Sequence, residues 1–215
     1  MKADVTQVEA IYIVGAGIFA EEIQDVVELI GNLKIEAFIE GLDKGKCKRE
    51  INGIPIKWID DIIKEEKRLE CFCAIGSPKR KGIVELLEGR GFRFKTLIHP
   101  SSEIFPSALI KAGSFIGANS IIAARSEVGK QVIINRGCLI GHHVHIENHV
   151  TISPGANIAG QCLIREGSYI GMGAIIIDGI KVGANSVVGA GAVVTKDVPD
   201  NVQVLGVPAR IVKEL

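Results

Sequence analysis

The stretch "IGHHVHIENHVTISPGANIAGQCLIREGSYI" (residues 140–170) places Ile at every sixth position, starting from Ile140. The same series runs from Ile98 to Val194, and each of its positions holds Ile or Val. Four residues after these positions the chain carries small or β-branched residues, such as Cys138 and Ala156. A period of six matches neither the 3.6-residue period of a helix nor the two-residue period of a strand. It predicts a β-helix, in which short strands alternate with tight turns.

The first 97 residues have a different organisation. Predicted strands alternate with predicted helices, as in "WIDDIIKEEKRL" (residues 58–69) and "PKRKGIVELLEGRG" (residues 78–91), which is typical of a small parallel α/β sheet. The first strand ends in "GAGIFA" (residues 15–20), a loose form of the dinucleotide fingerprint that brings backbone N–H groups to a phosphate. With roughly four strands, this domain suits a mononucleotide or a nucleotide-linked sugar better than NAD.

Composition excludes several classes of partner. The 25 basic and 25 acidic residues cancel, so no charge excess favours nucleic acid or anionic lipid. Neither a secretory leader nor a long apolar span is evident, so we expect no membrane partner. The five cysteines lack zinc-site spacing, and Cys71 and Cys73 are interpreted as packed thiols on one strand face. These features predict a cytoplasmic protein.

Four of the five histidines fall within residues 142–149. The repeat places His142 and His143 at one corner of the coil, His145 on the outer face above Glu127, and His149 at the next corner. Because different corners cannot share an ion, we expect no metal site, although a site between subunits and a purely structural role remain alternatives. A corner histidine suits general-base work, since its pKa lies near neutrality.

The two halves together resemble the hexapeptide-repeat sugar O- and N-acetyltransferases. These include the sialic acid O-acetyltransferase type and the UDP-amino-sugar N-acetyltransferases of bacillosamine and related pathways. The resemblance is carried by "IYIVGAG", "LIHPSS", "NRGCLIGHHVHI", "ISPGANIAG" and "VVGAGAVVTKDVP…GVPAR". It implies an α/β Rossmann-like nucleotide-sugar-binding domain over residues 1–97, followed by a left-handed parallel β-helix over residues 98–215. It also implies acetyl-CoA as co-substrate and a homotrimer with active sites between subunits.

The resemblance assigns roles to individual residues. It makes His142 the catalytic base, followed by His143 where the family commonly has an acid, and it implies an oxyanion-binding N–H near Gly160. It places acetyl-CoA at Thr151, Gly160, Met172 and Ala190, with Thr151 replacing a family histidine near the thioester. It places the nucleotide sugar at Gly15, Ala16, Gly17, Glu40, Ser77 and Asn135.

The expected activity is direct acetyl transfer from acetyl-CoA to an amine or hydroxyl of a nucleotide-linked sugar. The alternative is a non-catalytic trimeric scaffold whose small domain binds a nucleotide. A dinucleotide-dependent enzyme would need a larger nucleotide domain than residues 1–97 provide.

Overall fold

The computed structural model describes residues 8–64 and 69–215. These form two compact units. The first contains the residues up to Ile75 together with Gly82–Leu97, and the second contains Gly76–Lys81 together with Ile98–Leu215. We call them the small domain and the coil unit. The boundary between the two units falls after Leu97 except for the short segment Gly76–Lys81, which groups with the coil unit although it precedes that boundary in the sequence.

The small domain is an α/β sheet. Its elements are β1 (Glu9–Val14), α1 (Ile18–Ile30), β2 (Leu33–Glu40), β3 (Glu50–Ile51), β4 (Ile54–Trp58), α2 (Ile59–Lys64), β5 (Glu70–Cys73), α3 (Lys81–Glu88) and β6 (Arg93–Phe94). The strand order is β3-β4-β2-β1-β5-β6, and every neighbouring pair is parallel except β3 with β4. The predicted helix over residues 58–69 is helical over Ile59–Lys64, and residues 65–68 lie outside the described part.

The sheet has six strands where roughly four were predicted. The two added strands are β3 and β4. They form a hairpin that turns at Asn52 and Gly53, with φ of 47° and 81°. An Asn-Gly pair between apolar runs is a strong hairpin signal because both residues tolerate positive φ. This hairpin signal is Asn52-Gly53 in "EINGIPI" (residues 50–56).

The coil unit is a parallel β-helix of two-residue strands, as the six-residue period predicted. Strands 18 residues apart pair with each other, so the coil has three faces. The first face contains β7 (Leu97–Ile98), β10 (Phe115–Ile116), β13 (Ile133–Ile134), β16 (Thr151–Ile152), β19 (Tyr169–Ile170), β22 (Val187–Val188), β24 (Val202–Leu205) and the antiparallel β25 (Arg210–Glu214).

The other two faces are built in the same way. The second face contains β8 (Glu103–Ile104), β11 (Ile121–Ile122), β14 (Leu139–Ile140), β17 (Asn157–Ile158), β20 (Ile175–Ile176) and β23 (Val193–Val194). The third face contains β9 (Leu109–Ile110), β12 (Glu127–Val128), β15 (His145–Ile146), β18 (Leu163–Ile164) and β21 (Lys181–Val182).

The aliphatic series forms the coil's core. Its members Ile122, Ile140 and Ile158 are at most 1% exposed, and the small residues four positions later fill the corners. Buried serines there bond to the next turn, as when Ser126 Oγ donates to the Gly141 carbonyl at 2.6 Å. Stacked turns therefore fix each corner backbone, and the corner side chains are held in a constant register. No helix within residues 8–64 and 69–215 is both long and apolar enough to cross a bilayer.

Candidate functional site

His142 and His143 occupy the turn between β14 and β15. Both side chains are exposed, whereas the flanking Ile140 and Val144 are buried in the core. His143 has a φ of 58°, the left-handed conformation that such a tight corner requires. The histidine pair is therefore presented to solvent from a rigid backbone, as the register predicted.

The two rings contact each other directly. Nδ1 of His142 lies 3.1 Å from Nδ1 of His143, and the rings meet edge to face at a centroid distance of 5.3 Å. One nitrogen must donate and the other accept, depending on the tautomers. When His142 donates from Nδ1, its Nε2 carries the lone pair that a general base needs. The neighbouring imidazole of His143 is therefore in a position to orient the His142 ring.

Gly160 lies directly under the His142 ring. A Cβ built on Gly160 would lie 2.7 Å from Cε1 and 2.8 Å from Nε2 of His142, so only glycine lets the ring adopt this position. The Gly160 N–H donates to Asp178 Oδ1 at 3.0 Å, and the neighbouring Gln161 N–H donates to the His142 carbonyl at 2.9 Å. The N–H groups of Gly160 and Gln161 already donate within the chain, so the expectation that an N–H near Gly160 binds the oxyanion is not supported.

The remaining two histidines of the cluster have separate surroundings. His145 lies on the third face beside Glu127, with Nδ1 3.5 Å from the carboxylate Oε2, so the predicted outer-face pair is confirmed. His149 lies at the following corner with a φ of 60°, but its side chain is buried rather than solvated. In the described residues, no group of three or more His, Cys, Asp or Glu side chains could hold a metal ion.

Thr151, which was predicted to contact acetyl-CoA, is buried and hydrogen-bonded within the chain. Its side chain is 2% exposed, and its hydroxyl accepts from Arg80 Nη1 at 2.7 Å and donates to the Gly76 carbonyl at 2.9 Å. A hydroxyl has one proton, and this one is used within the chain. The expectation that Thr151 contacts the thioester is therefore not supported by the structure.

Met172 and Ala190 are stacked at the corner between the first and second faces. The Met172 carbonyl accepts from the Gly191 N–H at 2.8 Å, and both Met172 and Ala190 are exposed. Gly160 borders the second face from its opposite corner. Between the two corners the exposed side chains include Leu139 and Ile175. Gly160, Met172 and Ala190 thus border one partly apolar face, while Thr151 belongs to another.

The predicted nucleotide turn, Gly15-Ala16-Gly17, connects β1 to α1. Gly15 has a φ of 109°, and its N–H donates to the Ile39 carbonyl at 2.8 Å, which fixes the end of β1 beside β2. A Cβ on Gly15 would lie 3.1 Å from the Ala74 carbonyl oxygen. Gly17 is the N-cap of α1 and has open space where a Cβ would point. The Gly15-Ala16-Gly17 turn can therefore bring a ligand close to the helix N-terminus.

Glu40 has a structural role in the described small domain. Its Oε1 accepts from the N–H groups of Gly41, Leu42 and Asp43, and its Oε2 accepts from Lys46 Nζ at 3.0 Å. Burial raises the pKa of Glu40, but the hydrogen bonds from Leu42, Lys46 and Asp43 outweigh it and hold the pKa below its ordinary value. Because the carboxylate caps its own loop, the expected contact of Glu40 with a sugar nucleotide is not supported.

Ser77 and Asn135 both belong to the coil unit. Ser77 Oγ accepts from the Lys79 N–H at 3.3 Å at the start of a 3-10 turn, and the Asn135 amide is 3.4 Å from the Ile152 carbonyl. Ser77 also lines a cavity of about 770 Å³, together with Lys79, Tyr169 and Lys213. The hydroxyl of Ser77 keeps its proton available for a ligand.

The buried thiols of Cys71, Cys138 and Cys162 are poor nucleophiles. Cys138 and Cys162 are buried in the coil core, and burial raises the pKa of Cys138 to about 11 and that of Cys162 above its usual value. Burial likewise raises the pKa of Cys71 to about 12. Cys71 and Cys73 are free thiols packed in β5, as predicted.

Sequence reasoning missed Arg80. Its side chain is 1% exposed and bonds to the coil, although "SPKRK" has the composition of a solvated basic turn. A run of charged residues predicts exposed side chains. Nothing in the neighbouring sequence indicates that Arg80 is buried while the lysines beside it are not.

Two family models match the chain. The PglD N-terminal domain matches residues 10–87, and the bacterial transferase hexapeptide model (six repeats) matches residues 161–196. Among curated proteins, the galactoside O-acetyltransferase of Lactococcus lactis is 41% identical over 61 residues. That match spans 28% of this chain and 30% of the relative, so it concerns only part of either protein.

Solved structures match over nearly the whole chain. A perosamine N-acetyltransferase from Caulobacter crescentus, a variant with one histidine replaced by asparagine in complex with CoA and GDP-perosamine, is 28% identical with a TM-score of 0.89. The match covers 96% of this chain and 98% of that one. The acetyltransferase domain of PglB from Neisseria gonorrhoeae, in complex with acetyl coenzyme A, is 29% identical with a TM-score of 0.87 over 95% of this chain and 99% of that one.

The repeat architecture, the PglD-type domain and this full-length similarity agree with each other. The chain resembles hexapeptide-repeat sugar acetyltransferases that carry a PglD-type N-terminal domain.

Proposed function

We propose that the protein transfers an acetyl group from acetyl-CoA to the amine of a nucleotide-linked sugar, with His142 as general base. The observation that carries the proposal is the exposed His142 ring, held over Gly160 and bonded through Nδ1 to His143. The similarity to a GDP-perosamine N-acetyltransferase and to an acetyl-CoA-bound domain supports the substrate classes and favours an amine over a hydroxyl acceptor.

The chemistry follows from the free Nε2 of His142. The sugar amine attacks the thioester carbonyl and forms the C–N bond while its proton passes to Nε2. The tetrahedral intermediate then collapses, the C–S bond breaks, and CoA leaves as a thiolate. The proton on His142 returns to that thiolate or to solvent. His143 stabilises the transient imidazolium by accepting from Nδ1, as a carboxylate would, but without a fixed negative charge.

Direct transfer is favoured over a covalent acetyl-enzyme. A thiol must ionise to act as a nucleophile, and the raised pKa values of Cys138 and Cys162 oppose ionisation near neutral pH. Both thiols are also buried in the coil core.

Acetyl-CoA is proposed to lie along the second face, between Gly160 on one corner and Met172 with Ala190 on the other. The exposed Leu139 and Ile175 give this face an apolar surface for the pantetheine arm. Because His142 is exposed at a corner, we further propose a homotrimer in which a neighbouring subunit completes the site. We also propose that it works in the cytoplasm, where acetyl-CoA is available.

The nucleotide sugar is proposed to bind at Gly15, Ala16 and Gly17, with Ser77 and Asn135 as further contacts. The open space at Gly17 and the uncapped start of α1 support phosphate binding there.

A thiol-release assay tests the proposal. Acetyl-CoA is combined with GDP- and UDP-linked amino sugars, using the wild type, His142→Ala and the control His145→Ala. Turnover that is lost in His142→Ala and kept in His145→Ala supports it. A wild type that binds a nucleotide but releases no CoA thiol with any acceptor would favour the non-catalytic scaffold.

A further inference from the structure

Residues 76–81 form a short arch on the coil unit. Within it, Pro78–Arg80 make a 3-10 turn, capped by Ser77 Oγ and closed by the Arg80 N–H donating to the Ser77 carbonyl at 3.0 Å. Ser77 and Lys79 at the middle of the arch line the cavity that also contains Tyr169. The conformation of this arch therefore decides where the Ser77 hydroxyl is presented.

The Arg80 guanidinium attaches the arch to two successive turns of the coil. Nε and Nη2 donate to the Gln131 carbonyl at 3.0 and 2.5 Å, and Nη2 also donates to the Val150 carbonyl at 2.8 Å. Nη1 donates to Thr151 Oγ1 at 2.7 Å. The planar fork of arginine reaches all three oxygens at once, which the single ammonium group of lysine cannot do.

Thr151 completes the attachment from the other end of the arch. Its hydroxyl accepts from Arg80 and donates to the Gly76 carbonyl at 2.9 Å, so one side chain contacts both the first and the fifth residue of the arch. Lys81 adds an exposed ion pair with Glu166 at 2.6 Å. Ser77, Pro78 and Lys79 are thus held between two fixed ends.

We propose that Arg80 and Thr151 are positioning residues that fix the arch and so set Ser77 for the nucleotide sugar. In this chain the threonine at position 151 has an internal contact in place of a contact with the thioester. The inference rests on the proposed function. It requires that loss of either residue weakens binding of the nucleotide sugar and leaves binding of acetyl-CoA unchanged.

The test is steady-state kinetics of Thr151→Val and Arg80→Lys with each substrate varied in turn. We expect the KM for the nucleotide sugar to rise about tenfold in each variant, as for the loss of one buried hydrogen bond. The KM for acetyl-CoA should not change. The double variant should be no worse than the single ones, because both remove the same attachment.

Two controls match these changes. Ser186→Ala removes another buried hydroxyl, whose bond to the Pro199 carbonyl is 2.6 Å long, and Arg165→Lys alters a surface arginine near Asp200. Both should keep wild-type KM values. A raised KM for acetyl-CoA in Thr151→Val, with an unchanged KM for the sugar, would overturn the inference and restore the thioester contact. Unchanged KM values for both substrates would overturn it as well.

Hydrogen exchange separates failure of this inference from failure of the proposed function. If the wild type acetylates no nucleotide sugar, the proposed function fails. The attachment of the arch is then tested by the hydrogen-exchange rate of the Arg80 backbone amide. Faster exchange of that amide in Thr151→Val than in Ser186→Ala would support the attachment, and equal exchange would overturn it. If Arg80→Lys does not fold, Thr151→Val carries the test alone, because valine keeps the shape of threonine.

Discussion

Nδ1 of His142 lies 3.1 Å from Nδ1 of His143, so the side chains of two consecutive residues contact each other. Consecutive residues of a strand point to opposite sides, and those of a helix are about 100° apart. At this corner the φ of 58° at His143 turns the second ring back toward the first. The pairing is therefore a product of the turn geometry.

Replacing His142 with Ala should lower kcat by about 10²–10⁴-fold, the usual contribution of a general base. The side chain is exposed, so the melting temperature should stay at the wild-type value. His145→Ala is the matched control, since His145 is an exposed histidine of the same coil turn. Retained turnover in His142→Ala would show that another group accepts the proton.

Replacing His143 with Gly should lower kcat about tenfold, because the ring that orients His142 is lost while glycine accepts the positive φ. His143→Asn should recover part of this loss, since the amide oxygen can accept from His142 Nδ1. Single-turnover rates with saturating substrates measure both effects. Equal rates in the two variants would argue against an orienting role.

Gly160→Ala should reduce kcat more than stability. The new Cβ would overlap the His142 ring, which is the end of a flexible side chain and can move aside, misplacing the base. Gly141→Ala is the informative comparison, since its Cβ would lie 2.7 Å from the Gly160 backbone nitrogen. That variant should lose stability, because backbone cannot move aside cheaply. Thermal melts and initial rates of both variants distinguish the two outcomes.

Native thiol labelling should modify Cys47 well before Cys71 or Cys138. Cys47 is partly exposed, whereas the buried Cys71 and Cys138 have pKa values of about 12 and 11 and hold little thiolate at pH 8. Intact-protein mass spectrometry after incubation with acetyl-CoA should show no acetyl adduct on any cysteine. An adduct on Cys138 or Cys162 would contradict direct transfer.

Glu40→Gln should destabilise the small domain by about 1.5–3 kcal/mol at pH 7, through loss of charge-assisted hydrogen bonds. The pKa of Glu40 is lower in the folded protein than in the unfolded chain, so its stabilisation is present above the unfolded pKa and is lost as the pH falls through the folded pKa. Urea unfolding of wild type and variant should therefore converge in strong acid. Glu36→Gln, an exposed change on the same strand, should have little effect at either pH. A difference that persists in strong acid would point to packing instead.

The sequence by itself determined the β-helix and the corner positions of the histidines. A six-residue period leaves each side chain only one direction, inward or outward, so register alone separated buried Ile140 from exposed His142. It also placed His145 above Glu127, because turns stack at a fixed interval of 18 residues.

Only the tertiary structure decided which polar groups remain available to a ligand. The hydroxyl of Thr151, the carboxylate of Glu40 and the N–H of Gly160 all have the right chemistry for binding, yet each is used by a partner inside the chain. Their partners Arg80, Leu42 and Asp178 lie between two and 71 residues away. A motif specifies residue types and spacing, whereas the bond of Thr151 depends on where a segment 71 residues away folds against it. The bond of Glu40 is local but depends on how the loop after β2 turns back, which the residue types alone do not specify.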